Sequence, residues 1–105
     1  MKPYEIYIAY VSWGTEGKRR PVLVLGEQGA KAAVLRITTQ YDNKSDAVQS
    51  KYLAILDWQQ SGLYMPSYID TSKIIDLPLT TMGITPIGRL SGRDRERLIE
   101  RTNVG

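Results

Sequence analysis

The sequence contains no cysteine, no histidine and no phenylalanine. Without cysteine there are no disulfides, thiol nucleophiles or thiolate zinc sites, and without histidine there is no acid–base catalysis by imidazole. The side chains left for chemistry are those of Asp, Glu, Lys, Arg, Tyr, Ser and Thr. The lack of cysteine is compatible with a reducing cytoplasm, which is the location we expect.

Long apolar runs are missing as well. No segment approaches the roughly 20 consecutive apolar residues that a membrane-spanning helix needs, and residues 1–10 do not combine a basic stretch with a following apolar run. We therefore expect a soluble protein without a membrane partner. The length of 105 residues predicts a single domain over residues 1–105, since a chain of this size buries roughly 60 to 68% of its unfolded surface.

The charge and the aromatic residues leave two interpretations open. The sequence has 14 basic and 11 acidic residues and a net charge of +3, which fits a polyanionic partner such as nucleic acid but is also common in other domains. Its aromatic residues are seven Tyr and two Trp. Rings with polar tips suit base stacking, and they equally suit the rim of a small barrel.

Short runs of β-branched and aromatic residues predict a mainly β fold. A polar, glycine-containing segment at 12–20 and a polar segment at 40–46 predict loops, and the region around Gly29 predicts a tight hairpin connection. We expect a small, strongly curved antiparallel sheet or a partly closed barrel. The predicted strands and extended segments are residues 5–11, 21–25, 32–39, 52–56, 67–77 and 84–90.

Helix is predicted near the end of the sequence, where Ser91 and Asp94 form a capping-box pattern. The alternating Arg and Glu residues of this segment favour a solvated face over a nucleic-acid-binding helix. A single helical turn is also predicted at residues 58–60, capped by Asp57 and ended by Gly62.

Two polar residues lie where predicted strands begin or end. Pro21 restricts Arg20 to an extended backbone and the next strand anchors it, so its guanidinium can clamp a phosphate; a surface arginine at a strand end is the alternative. Thr38 shares a strand face with Arg36 and Val34. Its hydroxyl can bind a ligand, although threonine is also simply a good strand former.

Asp70 is the third candidate, because a carboxylate inside a strand of Tyr and Ile is unusual for a purely structural edge. Its side chain can serve as a general base, or it can pair with Lys73 or with an arginine. The residues alone do not decide between these roles.

Several motifs occur together in a fixed order. R-P-V-L-V-L follows a polar loop, I-T-T-Q ends the next hairpin strand, an acidic residue precedes I-I-D, and a helix follows I-G-R-L-S. Over most of the chain, this set resembles the MazF/PemK family of toxins from toxin–antitoxin pairs. The resemblance implies an SH3-like β-barrel of antiparallel strands with a C-terminal helix. It also implies a dimeric endoribonuclease for single-stranded RNA that needs no metal or cofactor and is silenced by a cognate antitoxin.

The same resemblance implies site residues. Arg20 takes the place of the arginine in the family's R-P motif, Thr38 that of the threonine in its I-T-x-Q segment, and Asp70 that of an acidic residue that some members use in cleavage. Tyr68 stands where one branch has an arginine, which leaves the acid–base assignment open. The segment 41–51 is expected to face the substrate, and the expected RNA-binding residues are Lys18, Arg19, Gln40, Tyr41, Lys44, Lys51 and Tyr68.

A non-catalytic binding module is the alternative function. The same small barrel can bind nucleic acid or a protein partner, as gyrase-inhibiting toxins of similar fold do. The positions of Arg20, Thr38 and Asp70 in space separate the two hypotheses. Convergence of these side chains on one groove favours a nuclease, and dispersal favours a binding module.

Overall fold

The computed structural model describes residues 1–13 and 16–102. Within them, one seven-stranded sheet is followed by a C-terminal helix, which confirms the predicted mainly β fold with a terminal helix. The strands are β1 (Glu5–Trp13), β2 (Glu16–Gln28), β3 (Lys31–Thr38), β4 (Tyr52–Ala54), β5 (Tyr68–Asp70), β6 (Ile75–Pro78) and β7 (Gly88–Arg89). The helices are α1 (Asp46–Gln49) and α2 (Gly92–Thr102), and a 3-10 turn spans Leu79–Thr81.

Strand β2 begins earlier than the sequence predicts. The loop expected at 12–20 is wrong for its described residues, because 16–20 continue β2 and pair with β1; residues 14 and 15 lie outside the described part. Pro21 is therefore inside the strand and not at its first position. Backbone pairing with β1 outweighs the polar composition of this segment, since polar side chains remain solvated on a paired strand.

The hairpin between β2 and β3 turns at Gly29, whose φ of +61° suits glycine, and this confirms the predicted connection. Val22, Leu23 and Val24 are all fully buried. Leu23 belongs to the same buried cluster as Leu98 of α2, whereas the two valines belong to a second buried cluster. The near-continuous aliphatic run at 21–25 predicts a strand buried on both faces, which is confirmed and makes β2 a rigid support for the residues beside it.

The sheet branches at β3. Residues 31–34 of this strand pair with β6, whereas Ile37 and Thr38 pair with β5. The extended segment predicted at 67–77 is therefore two strands, separated by residues 71–74. Because β5 then pairs with β4, the last residues of β3 lie between β2 and a small β4–β5 sheet.

The helices agree with the sequence only in part. Helix α2 is confirmed, and so is the single turn after Asp57, since the N–H of Ser61 donates to the carbonyl of Asp57 at 3.0 Å and the turn ends at Gly62, whose φ is +90°. The predicted cap is wrong, because the Asp57 carboxylate accepts hydrogen bonds from Ser91 and Arg93 instead. Helix α1 lies within the segment 41–51 that was expected to be a loop, because the Ser45 hydroxyl caps its first turn. In the part of the chain that the structure covers, no helix has the length and apolar character to cross a membrane.

Gly88 is a position where the backbone leaves no room for a side chain. A Cβ at Gly88 would lie 2.0 Å from the carbonyl oxygen of Ser61. We expect Gly88→Ala to lower the free energy of unfolding by about 1–3 kcal/mol, because backbone must move to accommodate the methyl group. Urea unfolding measures this change.

Gly26→Ala is the matched control, since a Cβ at Gly26 meets nothing within 4 Å. Its unfolding free energy should change by no more than about 1 kcal/mol in either direction. Equal stability of the two variants would contradict the close approach at Gly88.

Candidate active site

The register of the strands brings the candidate residues onto one face. Val22 of β2 pairs with Arg36 of β3, and this is the last pair of that ladder, because Pro21 has no N–H to extend it. Arg20 lies two residues before Val22, and Thr38 lies two residues after Arg36. Because side chains alternate along a strand, both share the face of that pair. On the other side of β3, Thr38 pairs with Tyr68. The ends of three strands thus present their side chains together.

Arg20, Thr38 and Asp70 converge on one depression, called the cleft below. Its volume is about 160 Å³, smaller than the roughly 300–1,000 Å³ of drug-sized pockets. This size suits a compact group such as a phosphate better than a whole nucleotide. The residues that line the cleft are Arg20, Arg36, Ile37, Thr38, Gln40, Lys44, Tyr52 and Asp70.

Arg20 differs from the two cations that precede it. All three pair with β1 through their backbones, but Arg20 is partly buried and its Nε is inaccessible to solvent. Lys18 and Arg19 are exposed on the same strand and do not line the cleft. The guanidinium of Arg20 therefore starts from a fixed strand, which limits the entropy lost when it binds a ligand.

Thr38 has a hydroxyl whose proton is available for donation. Its Oγ1 accepts a hydrogen bond from the backbone N–H of Gln40 at 3.0 Å. This contact uses a lone pair and leaves the O–H as a donor. Both residues line the cleft, so the turn after β3 orients the hydroxyl at the cleft wall.

Asp70 is buried and held by hydrogen bonds at both oxygens. Oδ2 accepts from Nη2 of Arg36 at 2.7 Å, and Oδ1 accepts from the N–H and the hydroxyl of Ser72 at 2.9 and 2.5 Å. Burial raises the pKa of this carboxyl, but the hydrogen bonds from Ser72 and Arg36 outweigh it, and the pKa falls below its ordinary value. Asp70 is therefore an anion at neutral pH, and of the two partners foreseen for it, the arginine is the one found.

Tyr52 lines the cleft, and two further tyrosines form an aromatic group with it. The rings of Tyr41 and Tyr68 stack with centroids 4.3 Å apart and planes 8° apart, and Tyr52 lies 6.3 Å from Tyr41. The carbonyl of Tyr41 accepts a hydrogen bond from the side chain of Gln49 in α1. The short helix thus fixes the segment that brings Tyr41 over β5.

The remaining predicted residues divide into two groups. Gln40 and Lys44 line the cleft, whereas Lys51 is exposed outside it and its carbonyl is bound by Thr71. The cleft also contains Arg36 and Tyr52, which the sequence did not single out as site residues. Strand alternation placed Arg36 on the face of Thr38, but its contact with Asp70 depends on the pairing of β3 with β5, which no local pattern predicts.

Across 1–13 and 16–102, no group of three or more Asp or Glu side chains is arranged to hold a metal ion. The charged groups that line the cleft are the cations Arg20, Arg36 and Lys44 and the anion Asp70.

Comparison with known proteins finds similarity in structure. No protein-family model and no curated protein matches the chain. A solved structure does match: the Mycobacterium tuberculosis toxin MazF-mt6, with 24% sequence identity and a TM-score of 0.70 over 91% of this chain and 89% of that chain. Since the similarity spans nearly all of both chains, it concerns the complete fold. The resemblance seen in the sequence is thus confirmed in the structure, and the chain has the fold of a MazF toxin.

Proposed function

We propose that the protein is the toxin of a type II toxin–antitoxin pair and cleaves single-stranded RNA, such as mRNA, in a sequence-selective reaction that needs no metal. The observation that supports this most is the convergence of Arg20, Thr38 and Asp70 on one cleft. A non-catalytic binding module does not require such convergence. The fold shared with a MazF toxin agrees with the proposal.

The proposed reaction uses the 2′-hydroxyl of the RNA as nucleophile. A bond forms between the 2′-oxygen and phosphorus while the bond from phosphorus to the 5′-oxygen breaks. The 2′-hydroxyl loses its proton to a base, and the departing 5′-oxygen gains one. The products are a 2′,3′-cyclic phosphate and a 5′-hydroxyl, with no change of oxidation state. Fixed hydrogen-bond donors that stabilise the dianionic phosphorane accelerate this reaction.

Two of the cleft residues have clear parts in this scheme. Arg20 donates hydrogen bonds to the phosphate oxygens, and its contribution is mainly electrostatic because a guanidinium gives up a proton with difficulty. Thr38 donates a hydrogen bond from its hydroxyl to a phosphate oxygen, since the acceptor side of this hydroxyl is already used by the N–H of Gln40. Asp70 as the general base remains a prediction from the sequence.

The surroundings of the cleft suit single-stranded RNA. The stacked Tyr41 and Tyr68 offer an aromatic surface for an unstacked base. Gln40 and Lys44 reach the substrate from the cleft wall, and the exposed Lys18, Arg19 and Lys51 attract the polyanion at longer range. Homodimer formation and silencing by a cognate antitoxin are proposed on the family resemblance.

Incubation of the protein with RNA of mixed sequence in EDTA tests the proposal. We expect discrete fragments that end in 2′,3′-cyclic phosphate and begin with 5′-hydroxyl, because the attacking group belongs to the RNA itself. An RNA with 2′-deoxyribose at the cleaved position is the matched control and should remain intact. RNA that survives across many sequences, or cleavage that EDTA abolishes, would contradict the proposal.

A further inference from the structure

Arg36 is a cleft residue to which the proposed reaction assigns no role. It reaches the cleft from β3, and its Nη2 donates to Asp70 at 2.7 Å. We infer that Arg36 is a second cation that binds the scissile phosphate, and that Asp70 is the positioning residue that holds Arg36 in place and not the general base. This assignment rests on the proposed function.

The exposure of the two partners shows which of them can meet a substrate. The Arg36 side chain is 45% exposed, whereas that of Asp70 is 8% exposed. The contact with Asp70 uses Nη2, and a guanidinium has five N–H donors in a planar fork. Arg36 therefore keeps donors for a phosphate while Asp70 fixes its orientation.

The hydrogen bonds of Asp70 argue against a role as base. A proton from the 2′-hydroxyl would have to arrive at an oxygen that already accepts from Arg36 or from Ser72. Protonation would also remove the charge that holds Arg36. In addition, the lowered pKa of Asp70 makes it a weaker base than a group whose pKa is near the working pH.

The position of Arg36 also fits the path of a longer substrate. A larger groove of about 660 Å³ adjoins the cleft, with Tyr10, Lys73 and Leu77 among its walls, and Arg36 lines both. An RNA strand that passes from the cleft into this groove crosses the guanidinium of Arg36. A cation at this boundary can hold the phosphate between the two nucleotides.

A double-mutant cycle with Arg36→Ala and Asp70→Asn tests the inference. We expect Arg36→Ala to lower kcat/KM for RNA cleavage by about 10²-fold and Asp70→Asn by about tenfold, with no further loss when Asp70→Asn is added to Arg36→Ala. Arg89→Ala, which removes an exposed arginine on β7 outside the cleft, is the control and should stay within about twofold of the parent.

A base role for Asp70 gives a different result. Asp70→Asn would then lower kcat by about 10²- to 10⁴-fold in both backgrounds, and the acid limb of the kcat profile against pH would disappear. Either finding would overturn the inference, and so would Arg36→Ala cleaving as fast as Arg89→Ala. Urea unfolding of each variant shows whether it is folded, and Arg36→Gln replaces Arg36→Ala if the latter is not.

Binding measurements separate this inference from the proposed function. Affinity for an RNA with 2′-deoxyribose at the cleaved position does not depend on catalysis. We expect Arg36→Ala to weaken this binding and to reduce the slope of log K against log[salt] by about 0.7, as the loss of one phosphate contact to a single strand should. An unchanged slope and affinity overturn the inference, even if the parent protein cleaves RNA. If the parent protein does not cleave RNA but Arg36→Ala still reduces the slope, the proposed nuclease function is wrong and the phosphate contact of Arg36 is supported.

Discussion

Arg20→Ala is expected to lower kcat/KM for RNA cleavage by about 10²- to 10³-fold in a protein that remains folded. Removal of one fixed donor to a developing oxyanion costs roughly 3–4 kcal/mol in other enzymes. Arg20 has the features that such a donor needs: its strand pairs with β1, its Nε is buried and its side chain lines the cleft. Initial rates on a short RNA that contains one cleavage site measure the effect.

Two further variants make the Arg20 test specific. Arg89→Ala removes an exposed arginine outside the cleft and should leave the rate within about twofold of the parent. Arg20→Lys keeps the charge but loses the planar fork, so we expect an intermediate loss of about tenfold or more. Cleavage by folded Arg20→Ala within about threefold of the parent rate would rule out the proposed mechanism.

Asp94→Ala is expected to give the largest loss of stability, about 3–5 kcal/mol. Asp94 is 1% exposed, and its carboxylate accepts hydrogen bonds from the backbone N–H groups of Leu56 and Asp57 at 3.0 and 2.8 Å. It also accepts from Arg97 at 3.0 Å. Alanine would leave these donors without their acceptor, and unsatisfied buried donors are costly. Urea unfolding with linear extrapolation measures the change.

Glu96→Ala is the control for Asp94→Ala, because Glu96 is exposed on the same helix. Its unfolding free energy should change by about 0.5 kcal/mol or less. Asp94→Asn keeps one carbonyl acceptor, so its loss of unfolding free energy should lie between those of Asp94→Ala and Glu96→Ala. A loss below about 1 kcal/mol for Asp94→Ala would mean that the loop at 56–57 is held in some other way.

The parts of the fold that the sequence predicted correctly are those with local causes. The apolar run that contains Val22 to Val24 identifies a strand buried on both faces, and Gly29 identifies its hairpin. The polar pattern after Ser91 identifies α2, whose first turn is capped as predicted by the Ser91 hydroxyl, which accepts from the Asp94 N–H. In each case the physical cause is contained within a few neighbouring residues.

The features that the sequence did not reveal depend on contacts between segments and not on the composition of one segment. Residues 16–20 have the composition of a loop, and only their partner β1 makes them a strand. The contact between Arg36 and Asp70 requires β3 to pair with β5 at one particular register. The Asp94 side chain was predicted to cap its own helix, yet it mainly binds the N–H groups of the loop at 56–57. For the contacts of Asp70 and Asp94, no short window of sequence contains both partners.

Because the sheet branches at β3, one half of this strand serves stability and the other half serves the cleft. Its first half, paired with β2 and β6, belongs to the packed interior and supports stability. Its last residues, beyond the β2 ladder, border the cleft and the segments at 39–51 and 71–74. Because no residue of these two segments is buried in the core, their length and composition can diverge with little cost to folding. Substrate preference is therefore free to evolve separately from thermal stability.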